Sequence, residues 1–528
     1  MILITSAQYV DEEFISEFGR IPPSFLPVGN KRLYEHQAQL FSGYEGTVYI
    51  SLPEDYIIPH QDSVRLEALK LKPIFIPTDK SLGESIAYAL ITTLGECEEV
   101  HLLHGDTLFD ELPKERSNVF AIGNNSENYN WSTFSLDSNG KSYFYPVQDD
   151  SSALDIISGY FTFDQPLALL RSLSNCNGNF LKALSQYALE FSLEPWLANA
   201  WLDFGHMNTY HRSKSTVTTQ RAFNEMKISP RIVSKSSANK FKMSSESRWF
   251  ESIPPALKIY TPHYLKQTVS EKKSGYDIEY LYLPVLNELF VFGDLPFRTW
   301  KTILRACEEF MMVAAEHKPS IQPNTSSLYD RKLWDRLASY CQDQQLNINQ
   351  SWILNEKQVP SLEDISTHCL SIIEQSDSRI SVVHGDFCFS NILYDFRLQA
   401  IRCIDPRGHV EDDITMYGDA RYDLAKLCHS VIGGYDHIIA GNFSWQCNSQ
   451  YDIDFDLFTD PVAEKIEQYL LEKGFAGFDL MKDGIYAIMI TLFLSMLPLH
   501  NDKPERQKAF LANALRLYIK LNEIKTCS

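Results

Sequence analysis

Asp386, Asn391 and Asp405 are the residues of this chain whose types and spacing most directly imply chemistry. They stand in Val383-His384-Gly385-Asp386-Phe387-Cys388-Phe389-Ser390-Asn391 and in Ile404-Asp405-Pro406-Arg407-Gly408. Phosphoryl transfer from ATP needs a carboxylate to accept the proton of the attacking hydroxyl. It also needs an amide and a second carboxylate to hold Mg²⁺ against the triphosphate. In His-Gly-Asp-x-x-x-x-Asn the Asp and the Asn share one tight loop. The apolar residues around it read as short strands: Ile380, Val382 and Val383 before, Ile392 and Leu393 after, then Ile401, Cys403 and Ile404 running into Asp405. A base and two metal ligands at strand ends form a chemical arrangement and not a packing one.

These motifs resemble those of the aminoglycoside phosphotransferase and choline kinase superfamily, whose fold is protein-kinase-like. The resemblance implies an α+β, two-lobed C-terminal domain with Asp386 as general base and Asn391 and Asp405 as Mg²⁺ ligands. An upstream lobe must then grip the triphosphate. In Arg231-Ile232-Val233-Ser234-Lys235-Ser236 apolar and polar residues alternate as in a strand, and a helix-like run from Lys242 to Phe250 carries Glu246. That is the layout of a strand lysine that meets the phosphates and pairs with a helix glutamate, although Lys240 and Lys242 lie nearby. No glycine occurs in Thr218–Asn224, where a phosphate-covering loop would stand. Tyr276–Pro284 looks like the strand entering the hinge between lobes, which sets the backbone at Glu279 and Leu281 toward the adenine. Asp423, in Gly418–Leu427, is read as a brace of the catalytic loop. Substrate contacts are expected between about Phe297 and Ile373, with no legible motif. Asp405 is followed by Pro406 and not by Phe-Gly, which argues against a protein kinase.

The first two hundred residues alternate between strand-like and helix-like stretches. Ile2–Thr5, Thr47–Ser51, Pro73–Ile76 and Val100–Leu103 read as strands, Leu33–Phe41 and Ser85–Leu94 as helices, and Asp62–Leu69 as a further element between the second and third strands. Such alternation predicts an α/β domain with a mostly parallel sheet, in which ligands bind beyond the carboxyl ends of the strands. Asp106 lies at one such end. Several segments, in family order, resemble those of sugar-phosphate nucleotidyltransferases: Pro23–Leu33, Leu103-His104-Gly105-Asp106, Ser158–Phe163 and Trp201-Leu202-Asp203-Phe204-Gly205-His206. The resemblance implies that Asp106 and Asp203 hold Mg²⁺ on the α-phosphate of a second NTP, and that Lys31 or Arg32 binds an acceptor phosphate. One departure stands out. The family's Gly-rich loop after the first strand is replaced by Ser6–Phe14, with no glycine and three acidic residues, and its later lysine is replaced by Ser24.

The expected organisation is a nucleotidyltransferase-like domain over 1–211, a Ser/Thr-rich linker over 212–219, and a kinase with its first lobe over 220–290 and its second over 291–528. A chain of 528 residues exceeds one hydrophobic core. Its net charge of −20 argues against a nucleic-acid binder. Ten cysteines without a Cys-x-x-Cys pair suggest a reducing, cytoplasmic setting. The run Ile485–Leu499 is shorter than a membrane span and reads as a core helix. The oligomeric state leaves no signal. If both domains work, the chain phosphorylates a hydroxylated metabolite (sugar, polyol or amino alcohol) with ATP and activates the phosphomonoester as an NDP derivative. Resemblance associates such fusions with surface polysaccharide or lipid head-group synthesis. The alternatives are a kinase joined to an inactive nucleotidyltransferase-like binding domain, and a scaffold of two degenerate folds.

Overall fold

A computed structural model describes residues 1–93, 98–113, 116–124, 131–138, 140–146, 155–217, 225–321, 323 and 329–527. The chain divides into two compact units, Met1–Thr218 and Thr219–Ser528. In the first, seven strands form a sheet in the order Glu194–Leu197, Val119–Asn124, Asp155–Phe163, Val100–His104, Ile2–Thr5, Val48–Pro53, Leu71–Ile76. Asp155–Phe163 runs antiparallel to both its neighbours, and the remaining pairings are parallel. Leu3, Val100 and Leu102 join a core with Ile86, Leu90, Leu173 and Leu184 from the helices Leu82–Thr92, Pro166–Asn175 and Phe180–Glu190. Ile2, Ile4 and Leu103 alternate with them along the strands and are buried too. Burial of both faces is what a mostly parallel sheet requires. Thr5 is in register with both Ser51 and His104, so the segments holding Ser6 and Asp106 leave the sheet at the same edge.

The segment expected to be a linker belongs largely to this unit. Met207–Val217 is a helix, and Tyr210 donates to the Pro27 carbonyl while Ser213 donates to that of Asp203. These two bonds draw 212–217 into the first unit. The glycine-free segment Thr218–Asn224 lies outside the described residues.

The second unit opens with an antiparallel sheet in the order Glu225–Ile228, Ile232–Ser237, Ser274–Glu279, Tyr264–Val269. The helix Lys240–Ser252, N-capped by the Asn239 side chain, follows the second of these strands in the chain. Beyond the sheet, helices dominate, among them Phe297–Ala315, Arg331–Gln344, Ala420–Val431 and Pro504–Cys527. Ile485–Met496 is a helix buried along nearly its whole length, as its apolar run implies. No described helix is long and apolar enough to cross a membrane. The Asp386 loop lies between the strand Ile380–Val382, paired with Tyr417–Asp419, and the hairpin of Ile392–Asp395 with Ala400–Cys403.

Candidate active site

The strand at Ile232–Ser237 buries Lys235, which is 7% exposed, and sets it opposite Tyr276. Its ammonium lies 2.8 Å from Glu246 Oε2 and 2.9 Å from Asp405 Oδ1. Glu246, on the helix that follows, also accepts from the Tyr276 hydroxyl at 2.8 Å, while Lys242 stays 3.8 Å away. Of the three candidate lysines, Lys235 therefore meets both carboxylates. Burial alone would lower its ammonium, but Asp405 and Glu246 hold it above the ordinary lysine value. Desolvation in turn pushes Glu246 up. Asp405 adopts φ +58°, a left-handed conformation that Asp tolerates better than most residues. Three residues on, Gly408 packs so tightly on the Lys240–Ser252 helix that a Cβ there would come within 2.1 Å of the Ser245 carbonyl oxygen.

The Asp386 loop is braced from behind. Asp423 accepts the backbone N–H groups of His384 and Gly385 at 2.6 and 2.7 Å. The Trp249 indole donates to the Val383 carbonyl at 2.8 Å, tying the loop to the Glu246 helix. Desolvation raises the Asp423 carboxyl to about 7, against the pull of those two amides. Asn391 donates its amide to the Asp386 carbonyl and to Asp386 Oδ2 at 2.9 and 3.1 Å, which leaves its own side-chain oxygen directed by that pair of bonds. Lys426 lies 2.8 Å from Asp386 Oδ1. Burial would raise the Asp386 carboxyl, but Lys426 and Arg407 hold it well below the usual carboxylate range. The Ile404 N–H donates to the Asn391 carbonyl at 2.9 Å, which joins the Asp386–Asn391 loop to the strand end that carries Asp405 and, through it, Lys235 and Glu246. The Asn391 amide oxygen and the Asp405 carboxylate are hard oxygen donors suited to Mg²⁺. At the expected hinge, the Glu279 backbone N–H is taken by the His263 carbonyl. Leu281 makes no backbone hydrogen bond among the described residues.

A cavity of about 260 Å³ opens at Asp386. Lys332, Arg336, Arg407 and Lys426 line it, together with Tyr329 and Tyr422. None of these six had a role in the sequence reading. Lys426 carried a legible signal, since it stands one helical turn after Asp423 and so on the same face. The others reach the cavity only through tertiary packing.

In the first unit, Thr107–Phe109 pairs with Trp201–Asp203, and Thr107 faces Asp203 in that register. This brings Asp203 to Asp106. A Cβ on Gly205 would come within 2.6 Å of Asp106 Oδ2 and 3.3 Å of Asp203 Oδ1, so both carboxylates close around that glycine. Desolvation, then the charge of Asp203, raises the Asp106 carboxyl to about 6. His206 lies 3.1 Å from Asp203 Oδ2, which also accepts from Thr209, and this hydrogen bond raises the imidazole. Two crowded carboxylates fit a divalent cation.

The triphosphate side of that site differs. Asp11 caps the helix Glu12–Phe18, its carboxylate accepting from the Glu13 and Phe14 N–H groups. Ser6 accepts from Ser24 N–H, and Ser24 donates to the Gly105 carbonyl. The positions of the missing loop and lysine are thus closed by the chain's own polar contacts. Arg32 is a correction. It is buried, with its guanidinium spread over both Asp62 oxygens at 3.1 and 2.8 Å and the Phe25 carbonyl at 2.8 Å, and Tyr34 closes the same carboxylate. Such a buried fork-to-fork pair is a packing element. Lys31, half-buried, remains of the two.

No protein-family model matches the chain, and no curated protein matches it. Among solved structures it is similar to a nucleoside-diphosphate-sugar pyrophosphorylase from Vibrio cholerae, at 13% identity and a TM-score of 0.31, over 40% of this chain and 99% of that one. It is also similar to a thermostable mutant of an aminoglycoside phosphotransferase solved with AMP-PNP and hygromycin B, at 14% identity and a TM-score of 0.37, over 58% of this chain and 92% of that one. A choline/ethanolamine kinase family protein from Mesorhizobium loti matches at 12% identity and a TM-score of 0.33, over 60% of this chain and 94% of that one. At these scores the functional reading rests on site geometry, and the matches are of the two kinds that the motifs resemble.

Proposed function

We propose that the second unit is an ATP-dependent kinase that phosphorylates the hydroxyl of a small molecule, with its first lobe before about residue 290 and its second lobe after it. The observation that carries this is the joint contact of Lys235 with Glu246 and Asp405, with Asp386 and Asn391 sharing the adjoining loop. In the reaction the acceptor oxygen attacks the γ-phosphorus, the bond to the β-phosphate oxygen breaks, ADP leaves, and the hydroxyl proton passes to Asp386. A low carboxyl pKa suits that task, because Asp386 must be ionised to accept the hydrogen bond while phosphoryl transfer demands little proton abstraction early on. Lys426 keeps it ionised and fixes its rotamer. Lys235, steadied by Glu246, meets the α- and β-phosphates, and the backbone at Leu281 is available to the adenine. Bound at Asn391 and Asp405, Mg²⁺ supplies charge neutralisation of the phosphates.

A second reading, nucleotidyl transfer in the first unit, is favoured by the convergence of Asp106 and Asp203. A phosphomonoester made by the second unit is the acceptor such a reaction consumes, releasing pyrophosphate from an NTP. The Asp11 cap and the Ser6–Ser24 contacts weigh toward a binding domain instead. The test pairs Asp386→Ala with Asp106→Ala in the full chain. Asp386→Ala lowers ADP release on the order of 10²–10⁴-fold, and retained activity would overturn the kinase assignment. Asp106→Ala leaves ADP release intact and abolishes pyrophosphate release, if any occurs in the wild type.

A further inference from the structure

The cavity at Asp386 has an unusual charge for this chain. The protein carries a net charge of −20, yet Lys332, Arg336, Arg407 and Lys426 line a space whose only carboxylate among the described residues is Asp386. Lys426 is engaged by Asp386. Arg407 donates to the Tyr422 hydroxyl at 2.8 Å and lies over its ring at 4.6 Å. Arg336 donates to the Ser495 carbonyl at 3.0 Å. Lys332 makes no hydrogen bond or ion pair among the described residues. Lys332, Arg336 and Arg407 thus crowd one cavity with no carboxylate within ion-pair distance among the described residues.

Clustered cations without counter-charges carry a standing electrostatic cost, and their field concentrates anions in a partly enclosed cleft. The crowding is visible in the groups themselves. Desolvation lowers Lys332 and Arg336, Arg407 lowers both further, and Arg407, Lys426 and Lys332 depress the Tyr422 phenol despite its burial. Lys332 and Arg336 stand at i and i+4 on the helix Arg331–Gln344, so they share one face of it. The α- and β-phosphates of ATP are met by Lys235 on a separate element, which leaves the Lys332–Arg336 wall for the other reactant. The cavity, at about 260 Å³, is at or below the small end of ligand pockets, which run from about 300 to 1,000 Å³. It suits a single sugar-sized molecule.

Building on the kinase reading, we propose that the acceptor is an anion: a hydroxylated metabolite whose carboxylate or phosphate group is bound by Lys332 and Arg336 while its hydroxyl lies at Asp386. Arg336 offers a planar fork for an oxyanion, and Lys332 supplies a point charge at the pocket mouth. Neutral polyols and amino alcohols, which the motifs alone leave open, are disfavoured by this wall. An ammonium group would be placed among like charges.

The experiment uses the full chain with Mg²⁺ and ATP and follows ADP release against matched acceptors: neutral hexoses, amino sugars, sugar acids and sugar monophosphates. The expected result is a kcat/KM at least about tenfold higher for an anionic acceptor than for its neutral counterpart, since a hydrogen bond to a charged group is stronger than one between neutral partners. The preference shrinks as salt rises. Whether sugar acids or sugar monophosphates lead identifies the anionic group. Lys332→Gln and Arg336→Gln each raise the acceptor KM about tenfold and leave the ATP KM unchanged, whereas Arg336→Lys recovers part of the loss. Preference for neutral or amino acceptors would overturn the assignment. So would variants that raise the ATP KM instead, because the cations would then serve the triphosphate. ADP release with none of the four classes, with ATP still bound, also counts against it. Failure to bind ATP at all would instead overturn the kinase reading beneath it.

Discussion

At the scale of single residues, the site is defined by which groups hold which others. Lys426 has the sharpest consequence. Its ammonium, with Arg407, offsets the desolvation of Asp386 and keeps that carboxyl ionised. In Lys426→Met the folded-state pKa of Asp386 rises, so protonation sets in at a higher pH and the acidic limb of kcat/KM shifts upward. Activity at pH 5 should fall further than activity at pH 8, and an unmoved acidic limb would contradict the role given to Lys426. Much of this site was legible because it is local. Asp386 and Asn391 lie in one loop, and Lys235 and Glu246 lie on a strand and the helix after it, so chain connectivity brings each pair together. Asp423 stands 39 and 38 residues from its two amide partners, so connectivity does not bring it there, and it was legible as a brace only through the resemblance of its helix start. Arg32 was offered beside Lys31 only because their loop resembles a substrate loop, and a resemblance of a short segment does not show which of two basic side chains is buried. The true partner of Arg32, Asp62, stands on another helix, and nothing in the local pattern announces it.

Among elements, the decisive relation joins the Lys240–Ser252 helix to the loop after Asp405. Gly408 has φ +67° and admits no Cβ against the Ser245 carbonyl. Gly408→Ala should cost about 2–4 kcal/mol from left-handed strain and overpacking together. If the helix moves to accommodate it, Glu246 retreats from Lys235 and kcat falls with the stability. A thermal melt and an ADP-release assay on the same variant check both, and unchanged values in each would remove the docking argument. The strands and helices that carry the motifs were legible from alternation and apolar runs, with ends displaced by a few residues. The linker was not. Its Ser and Thr content suggested an exposed connection, but Tyr210 and Ser213 anchor that helix inside the first unit. The basic wall at Lys332 and Arg336 was equally illegible, since an amphipathic helix with scattered cations looks the same whether it faces solvent or a cavity.

For the whole molecule, the two units present opposite electrostatics: paired carboxylates at Asp106 and Asp203 in one, clustered cations around Asp386 in the other. The first has a testable pH signature. With its pKa raised from an ordinary 3.8 to about 6, the folded state holds the Asp106 proton more tightly than the unfolded chain. This contribution is therefore favourable at low pH and turns into a penalty as pH rises through 6. At pH 8 that penalty is at most about 3 kcal/mol, from about 1.4 kcal/mol per pKa unit. Asp106→Asn should raise the melting temperature of the unbound protein at pH 8 and leave it nearly unchanged at pH 4, and Mg²⁺ should stabilise the wild type more at pH 8 than at pH 5. A change in melting temperature on Asp106→Asn that is the same at pH 8 and pH 4 would show that burial and Asp203 do not raise the Asp106 carboxyl. The central claim, kinase chemistry at Asp386, is tested most directly by ³¹P NMR of the full chain with Mg²⁺, ATP and a pool of sugar acids, sugar monophosphates and neutral sugars. ADP signals and a new phosphomonoester resonance should appear with the wild type, and both should disappear in Asp386→Ala. ATP left intact with every acceptor, or a phosphomonoester that persists in Asp386→Ala, would contradict it.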